Sequence, residues 1–213
     1  MINLQEVFDM NDVEMAERLR KQLSFMLELD KMKNLYRQTY VLHEDRKEND
    51  AEHSWHLAIM AFLLAEYSNE PVDISHVIKM VLLHDVVEID AGDTYCYDEE
   101  GYKSKPEREE RAARRIFGLL PDDQRDEFYA LWREFEDSQT PDSRFAAVLD
   151  RLQPLLLNYT RDGQSWREHS ISKEQVIKRN MQYFTASDEL SELIKGIISD
   201  AESKGWLKSV SEQ

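Results

Sequence analysis

Two histidines and two aspartates occur along the chain in an order that suits one divalent metal ion. They are His53, the adjacent pair His84 and Asp85, and Asp150. Imidazole and carboxylate ligands together suit borderline metals, and carboxylates also bind harder ions. We therefore predict one divalent ion, which can be Mn, Co, Fe, Ni, Zn or Mg. Four protein ligands on an ion that prefers six would leave positions for water and a phosphate oxygen.

The second aspartate lies inside an apolar helical segment, RFAAVLDRLQPLLL, where Asp150 is the acidic residue. A carboxylate in such surroundings is costly unless it has a partner. A metal ion would be such a partner. An ion pair with Arg144 or Arg151 is the alternative that the sequence leaves open.

The histidine–aspartate pair is followed by a run of carboxylates in LLHDVVEIDAGDTYCYD. Glu88 comes four residues after His84, on the same helix face, so it can reach a ligand of the metal. Asp93 follows Gly92, where the chain can turn inward. A bound cation would offset the repulsion between these acids. Without a catalytic role, Glu88 would be a solvent-facing glutamate of the helix and Asp93 would cap the turn that follows it.

This set of residues suits the hydrolysis of a phosphate ester. A metal ion can polarise a phosphoryl oxygen and make water more nucleophilic. One of Glu88 and Asp93 could orient the water while the other donates a proton to the leaving oxygen. Arg37 and Arg46 precede the first histidine, and their planar guanidinium groups suit a phosphate.

The elements that must position these residues are helices. Apolar residues recur with the i, i+3, i+4 period, no segment shows sustained alternation, and Gly and Pro number only 6 and 5. Good N-cap residues occur at Asp50, Asp73 and Thr140. The helix from Asp73 should end before Gly92, and a further helix should begin with Pro106 in its first turn. We therefore predict an all-α fold.

The length of 213 residues favours one domain with a single core. We predict that residues 1–213 form this domain, with the motifs in about 30–160 and the C-terminal helices, 172–206, packed on them. Two longer irregular stretches are expected at 35–49 and 90–105. Irregular stretches in a compact helical domain are often functional.

Composition excludes several classes of partner. The net charge is −16, from 27 basic and 43 acidic residues, so a nucleic-acid polymer would be repelled. No apolar run reaches membrane-spanning length, and the N-terminus lacks the pattern of a signal peptide. The one cysteine, Cys96, cannot form an internal disulfide, which suits a reducing compartment. We expect a cytoplasmic protein that binds neither nucleic-acid polymers nor membranes.

The motifs, taken in order, resemble the HD-domain metal-dependent phosphohydrolases. That family carries the pattern H…HD…D, which His53, His84–Asp85 and Asp150 match. The branch containing the YfbR-like 5′-deoxynucleotidases and HD-domain-containing protein 2 is similar in three segments: RKENDAEHSWHLA, LLHDVVEIDAGDTYCYD and TPDSRFAAVLDRLQPLLLNY.

The resemblance implies a helical, cytosolic homodimer that removes the 5′-phosphate from deoxynucleoside monophosphates with one divalent ion. It implies four metal ligands, two catalytic acids and a substrate-binding arginine: His53, His84, Asp85 and Asp150; Glu88 and Asp93; Arg37 or Arg46. Family members carry an aromatic residue beside that arginine, whereas Gln38 follows Arg37 here, so the substrate preference stays open. The aromatic segment EFYALWREF could add an apolar patch to the dimer interface.

Two other functions remain open at this point. The protein could hydrolyse a different phosphate substrate, such as a nucleoside triphosphate or an alarmone. It could also bind a nucleotide or a metal without turnover. The presence of all four ligands together with Glu88 and Asp93 favours an enzyme.

Overall fold

The computed structural model describes residues 17–180 and 185–208, and α-helices dominate it. Two short antiparallel strands, β1 (Tyr36–Tyr40) and β2 (Lys47–Asn49), form a hairpin. The predicted all-α class is therefore confirmed, with this hairpin as a local addition.

The helices follow one another through the described residues, and two of them continue into a 3₁₀ turn. The α-helices are α1 (Glu17–Glu28), α2 (Asp50–Leu64), α3 (Ile74–Leu83), α4 (Glu88–Ala91), α5 (Glu99–Phe117), α6 (Asp122–Asp137), α7 (Pro141–Thr160), α8 (Gln164–Glu168), α9 (Lys173–Asn180) and α10 (Asp188–Ser203). The 3₁₀ turns that follow α1 and α2 are Leu29–Asn34 and Ala65–Tyr67.

Two of the predicted helix caps are confirmed. The Asp73 carboxylate accepts hydrogen bonds from the backbone N–H groups of Ser75 and His76, at the start of α3. The Thr140 hydroxyl accepts the N–H of Ser143, 3.1 Å away, at the start of α7. Each cap satisfies N–H groups that the first helical turn leaves without a partner.

The predicted cap of α2 is wrong by one residue. Asn49 is the N-cap: its side chain accepts the N–H of Glu52 at 2.9 Å, and the Glu52 carboxylate accepts the N–H of Asn49 at 3.2 Å. This reciprocal pair is a capping box. Asp50 instead lies in the first turn, fully buried, where Arg37 donates a hydrogen bond to it. A tertiary contact therefore decides which of two good cap residues caps the helix.

The two stretches expected to be irregular are partly regular. Most of 35–49 belongs to the hairpin, and α5 already begins at Glu99, capped by Asp98. The prediction that α5 starts with Pro106 in its first turn is therefore wrong, because this residue lies inside the helix. Proline removes one backbone N–H from the helix, and α5 accommodates that loss within its 19 residues.

The helix predicted to run from Asp73 almost to Gly92 is interrupted. The regular part of α3 ends at Leu83, a turn of residues 84–87 follows, and α4 adds one further turn. Gly92 then ends α4 with a φ of 76°, a conformation that glycine adopts without steric cost. His84 and Asp85 therefore lie in the turn between two helices.

Helix α7 is the centre of the fold. It packs against α2, α3, α6 and α10, and it also contacts β1, α8 and α9. One hydrophobic core runs through the described residues from Phe25 to Leu207, and α9 and α10 contribute to it. This continuous core supports a single domain, which stays a prediction for the whole of residues 1–213.

The aromatic segment EFYALWREF does not form an exposed patch. Its residues Leu131, Trp132 and Phe135, on α6, are buried in the core. Two exposed aromatic side chains lie instead on α2, where Trp55 and Phe62 are 64% and 66% exposed. Periodicity alone could not show which apolar face is exposed, that of α2 or that of α6, since both helices carry large apolar residues.

Candidate active site

A cavity of about 290 Å³ lies beside α7, with walls from β1, the turn after α3, and helices α5, α6, α8 and α9. Six of the eight predicted site residues line this cavity: Arg37, His84, Asp85, Glu88, Asp93 and Asp150. The fully buried His53 adjoins it, because its Nε2 lies 3.0 Å from Oδ1 of Asp150.

The four predicted metal ligands converge on one point. The donor atoms of His53, His84 and Asp150 lie within 4.8 Å of one another. Oδ2 of Asp85 is 3.0 Å from Nε2 of His84 and 3.9 Å from Nε2 of His53. Four donors from α2, α7 and the turn after α3 therefore surround a space the size of one ion.

Hydrogen bonding sets which nitrogen of His84 faces this point. Its Nδ1 lies 2.9 Å from the carbonyl oxygen of Val81, an acceptor, so Nδ1 carries the proton and Nε2 points to the carboxylates. Nε2 is buried and makes no hydrogen bond within the described residues. A histidine held in this way is the usual arrangement of a metal ligand.

A chain of side chains orients His53 in the same manner. The Gln153 amide donates to Oε1 of Glu48 at 2.6 Å and lies 3.2 Å from Nδ1 of His56, so its oxygen faces Nδ1 of His53 at 3.0 Å. Nδ1 of His53 must then donate, which leaves a lone pair on its Nε2. Burial, with a smaller contribution from Arg37, lowers the pKa of His53 to about 4, so the ring is neutral.

These arrangements fit a cation. The Nε2 lone pair of His53 and an Asp150 oxygen 3.0 Å away repel each other unless a positive charge lies with them. Burial lowers the pKa of His84, but the carboxylates of Asp85 and Asp150 outweigh it and raise the pKa to about 10. The point on which the donors converge therefore favours positive charge. Two imidazoles and two carboxylates are suitable ligands for a divalent transition metal.

Arg37 joins this centre to the cavity from strand β1. Its Nη1 donates to Oδ2 of Asp85 at 2.7 Å and to Oδ1 of Asp50 at 3.3 Å. The guanidinium thus offsets the charge of Asp85, a predicted metal ligand, and of its neighbour Asp50, and it lies in the cavity wall. It is placed where an anionic group bound beside the metal would contact it.

Glu88 and Asp93 lie on the cavity wall at the start of α4 and just after its end. Glu88 is buried, and its Oε2 has no hydrogen-bond partner within the described residues. Burial, together with the carboxylates of Asp85 and Asp50, raises the pKa of Glu88 well above its ordinary value. Burial raises the pKa of Asp93 as well. Both acids are thus near the centre, and the surroundings of Glu88 favour its protonated form.

Arg46, the other predicted phosphate contact, is not brought to the cavity. It makes two hydrogen bonds of 2.8 Å to the Glu52 carboxylate and one of 2.9 Å to Glu44, on the exposed side of the hairpin. Its contact with Glu52 supports the capping box of α2. The register of the hairpin separates the two arginines, and the sequence gives no direct signal of that register.

The sequence analysis missed residues that support the site. Gln153 and Glu48 orient His53. Lys105 lines the cavity from α5, where it pairs with Glu109 at 2.6 Å, and it lies in a stretch expected to be irregular and functional. Gln153 could have been found, because it follows Asp150 by three residues and so lies on nearly the same face of α7. Glu48 precedes α2 on a strand, and nothing in its spacing predicts its role.

Comparison with known proteins gives the family. The family model described as HD domain matches residues 29–191, about three quarters of the chain. A solved structure from Magnetospirillum magnetotacticum MS-1, described as a predicted metal-dependent phosphohydrolase, superimposes with a TM-score of 0.86 at 47% identity. That match covers 91% of this chain and 100% of the other. The chain belongs to the HD domain family, which confirms the resemblance of its motifs.

Two curated relatives share the name 5′-deoxynucleotidase HDDC2. The chain is 29% identical to 5′-deoxynucleotidase HDDC2 from Homo sapiens over 138 residues, 64% of this chain and 66% of that protein. It is 27% identical to 5′-deoxynucleotidase HDDC2 from Danio rerio over 192 residues, 90% of this chain and 86% of that protein. The match to the human protein spans slightly less than two thirds of its length.

Within residues 17–180 and 185–208, no helix is both long enough and apolar enough to cross a bilayer.

The convergence of donors predicts the effect of removing one of them. In His84→Ala we expect marked loss of the bound divalent ion, because an imidazole on that centre is gone. The wild type should contain about one ion per chain, and removing the ion should lower its melting temperature, since a ligand of the folded state stabilises it. Elemental analysis and thermal unfolding of metal-loaded and metal-free samples measure both effects.

A matched histidine outside the site provides the control. His76 contacts Glu134 at 2.7 Å and does not line the cavity, so His76→Ala should keep the wild-type metal content. An unchanged metal content in His84→Ala would remove His84 from the set of ligands.

Proposed function

We propose that the protein is a metal-dependent phosphohydrolase that removes the 5′-phosphate from (deoxy)nucleoside monophosphates. One observation carries the proposal: a point with four metal-ligand donors opens into the same cavity as a half-buried arginine and two further carboxylates. A phosphate ester needs this combination, with positive charge for its oxygens, a site for attacking water and a proton donor for the leaving group.

The relatives support the nucleotide part of the proposal. The curated proteins described above are named 5′-deoxynucleotidases, and the solved relative is described as a predicted phosphohydrolase. The cavity of about 290 Å³ is at the lower end of the range for small-molecule sites. We also expect the protein to act in the cytoplasm.

Each residue has a role in the proposed reaction. His53, His84, Asp85 and Asp150 would hold one divalent ion, which supplies positive charge to the phosphate and makes a coordinated water more acidic. Borderline ions such as Mn, Co, Fe, Ni or Zn match these ligands best, and Mg is a further candidate. Arg37 holds a phosphate oxygen, because its guanidinium lies in the cavity wall beside Asp85.

We assign the proton donor to Glu88. Water adds to phosphorus, the bond between phosphorus and the 5′-oxygen breaks, and that oxygen takes a proton as it leaves with the nucleoside. Glu88 is buried beside three other carboxylates, and these surroundings favour its protonated form, so it can supply the proton. Asp93, less buried on the same wall, orients the attacking water.

A panel of substrates tests the proposed activity. We expect phosphate release from deoxynucleoside monophosphates with added Mn, Co or Mg, and little release from nucleoside triphosphates or alarmones. Faster release from one of those two classes would favour the alternative hydrolase. Binding of nucleotide without release from any substrate would favour a non-catalytic protein.

The role of Glu88 predicts a specific kinetic pattern. Glu88→Gln keeps the side-chain shape but cannot donate a proton, so kcat on a deoxynucleotide should fall by about 10² to 10⁴. On p-nitrophenyl phosphate the fall should be much smaller, because that leaving group needs no proton. Asp93→Asn should slow both substrates alike, since both need the attacking water. Steady-state kinetics and metal content are measured on the same samples.

The matched control is Asp90→Asn, the same acid-to-amide change on the same short helix. Asp90 forms an ion pair with Arg115 and does not line the cavity, so the control should behave like the wild type. Equal losses on both substrates in Glu88→Gln would contradict its role as proton donor.

We further propose that the protein is a homodimer through an exposed apolar stripe on α2. Its members occur at helical spacing and are highly exposed: Trp55, Ile59, Phe62 and Leu63. Four large apolar side chains on one face form the kind of patch that marks an interface. A second copy is the occupant that the family resemblance supports, and a two-fold axis would pack the stripe against itself.

Sedimentation velocity tests this assembly. The wild type should sediment as twice 25.2 kDa, and Phe62→Glu should shift it to the single-chain mass, because a charge at the centre of the stripe is costly to bury. Leu193→Glu, at an exposed leucine on α10, is the control and should leave the dimer intact. A wild type of 25.2 kDa at micromolar concentration would rule the dimer out.

A further inference from the structure

We propose that the end of the cavity formed by α7 and α9 recognises the base of the nucleotide, through the amide oxygens of Asn158 and Asn180. These acceptors match an exocyclic amino group, as on adenine, cytosine or guanine. The inference rests on the proposed function, because it names the part of a nucleoside monophosphate that lies away from the phosphate.

Helix α7 links the two ends of the site. Asp150, Pro154 and Asn158 all line the cavity and are spaced by four residues, so they lie on one face of the helix. The eight residues from Asp150 to Asn158 correspond to about 12 Å along the axis. That separation is comparable to the length of a nucleoside monophosphate, so a substrate with its phosphate at Asp150 can extend toward Asn158.

The orientation of the Asn158 amide is fixed by its own helix. Its Nδ2 donates to the carbonyl oxygen of Pro154 at 3.0 Å. The amide nitrogen is thus engaged with the backbone, and Oδ1 accepts no hydrogen bond from residues 17–180 or 185–208. The residue is 8% exposed and lines the cavity, so a ligand in the cavity can reach this acceptor.

Asn180 repeats the arrangement on α9, which packs against α7. Its Nδ2 donates to the carbonyl oxygen of Val176 at 2.7 Å, so Oδ1 points away from that carbonyl. The residue is 4% exposed and lines the cavity, and its Oδ1 is buried with no partner in the part of the chain that the structure describes. A buried acceptor without a donor is costly. A ligand that brings an N–H group removes that cost.

The surrounding walls suit a planar heterocycle. Aromatic and aliphatic residues are among those that line the cavity: Tyr97, Tyr102, Leu155, Trp166 and Val176. Small-molecule sites are built in this way, with apolar walls and a few polar groups that fix orientation. An exocyclic amino group carries two N–H donors and no negative charge. It is therefore the part of a nucleotide that best complements two amide oxygens.

The test compares two substrates that differ by this one group. They are deoxyadenosine 5′-monophosphate and the 5′-monophosphate of purine deoxyriboside, which lacks the 6-amino group. In the wild type we expect kcat/KM to favour the first by about 10-fold or more, because the second leaves a buried acceptor unpaired. In Asn180→Leu and Asn158→Leu the preference should fall toward one. The ratio of two substrates on one sample does not depend on the folded fraction.

Glu174→Leu is the matched control, the same change from a polar residue to leucine at an exposed position of α9, and it should keep the wild-type ratio. Equal kcat/KM for both nucleotides in the wild type would overturn the inference, as would an unchanged preference in both asparagine variants. If neither nucleotide is hydrolysed while p-nitrophenyl phosphate is, the proposed function itself fails and the base site fails with it.

Discussion

The burial of several carboxylates around one point is the constraint on which the rest of the structure depends. Asp50, Asp85 and Glu88 offer oxygens within 4.8 Å of one another, and all three are buried. Charges of one sign at this separation repel strongly when water is excluded. Arg37 offsets part of the charge, and burial with the neighbouring carboxylates raises the pKa of Glu88, which favours its uncharged form. Arg151 pairs with Oδ2 of Asp150 at 2.5 Å, and the two histidines converge on Oδ1 of Asp150 and Oδ2 of Asp85.

The fold can be understood as the means of holding this centre together. Its parts come from the first turn of α2, the turn after α3, the middle of α7 and strand β1. Asp150 lies in the most buried helix, so the core fixes it, and Gln153 on the same helix fixes His53. The interruption of α3 brings His84 and Asp85 together, although neighbouring residues of a regular helix point in different directions. The contacts that pack the helices of the core therefore also hold the side chains of the predicted metal centre in place.

The sequence predicts best the location of residues that are costly to bury; their role as metal ligands stays a prediction. Asp150 stands out because an acid in an apolar helix needs a partner, and His84 and Asp85 because acids follow them closely. The caps at Asp73 and Thr140 were predictable because their hydrogen bonds are local. Local signals of this kind depend on residues only two or three positions away.

The features that sequence reasoning missed depend on contacts between distant residues. The hairpin was missed because strands of five and three residues are too short to show alternation. That hairpin brings Arg37 into the cavity and leaves Arg46 outside. The positions of the two arginines in the sequence do not predict which of them reaches the cavity. Asn49 caps α2 because Asp50 is held by Arg37, and the aromatic residues of α6 are buried because α3 and α7 cover them.

The most direct test of the buried metal centre is anomalous X-ray diffraction from crystals of the full chain soaked with Mn²⁺. We expect one strong anomalous peak per chain, within coordination distance of Nε2 of His53 and His84 and of the carboxylates of Asp85 and Asp150. The peak should disappear in crystals of Asp150→Ala soaked in the same way. A peak elsewhere in the chain, or no peak at this point in the wild type, would contradict the assignment of the centre.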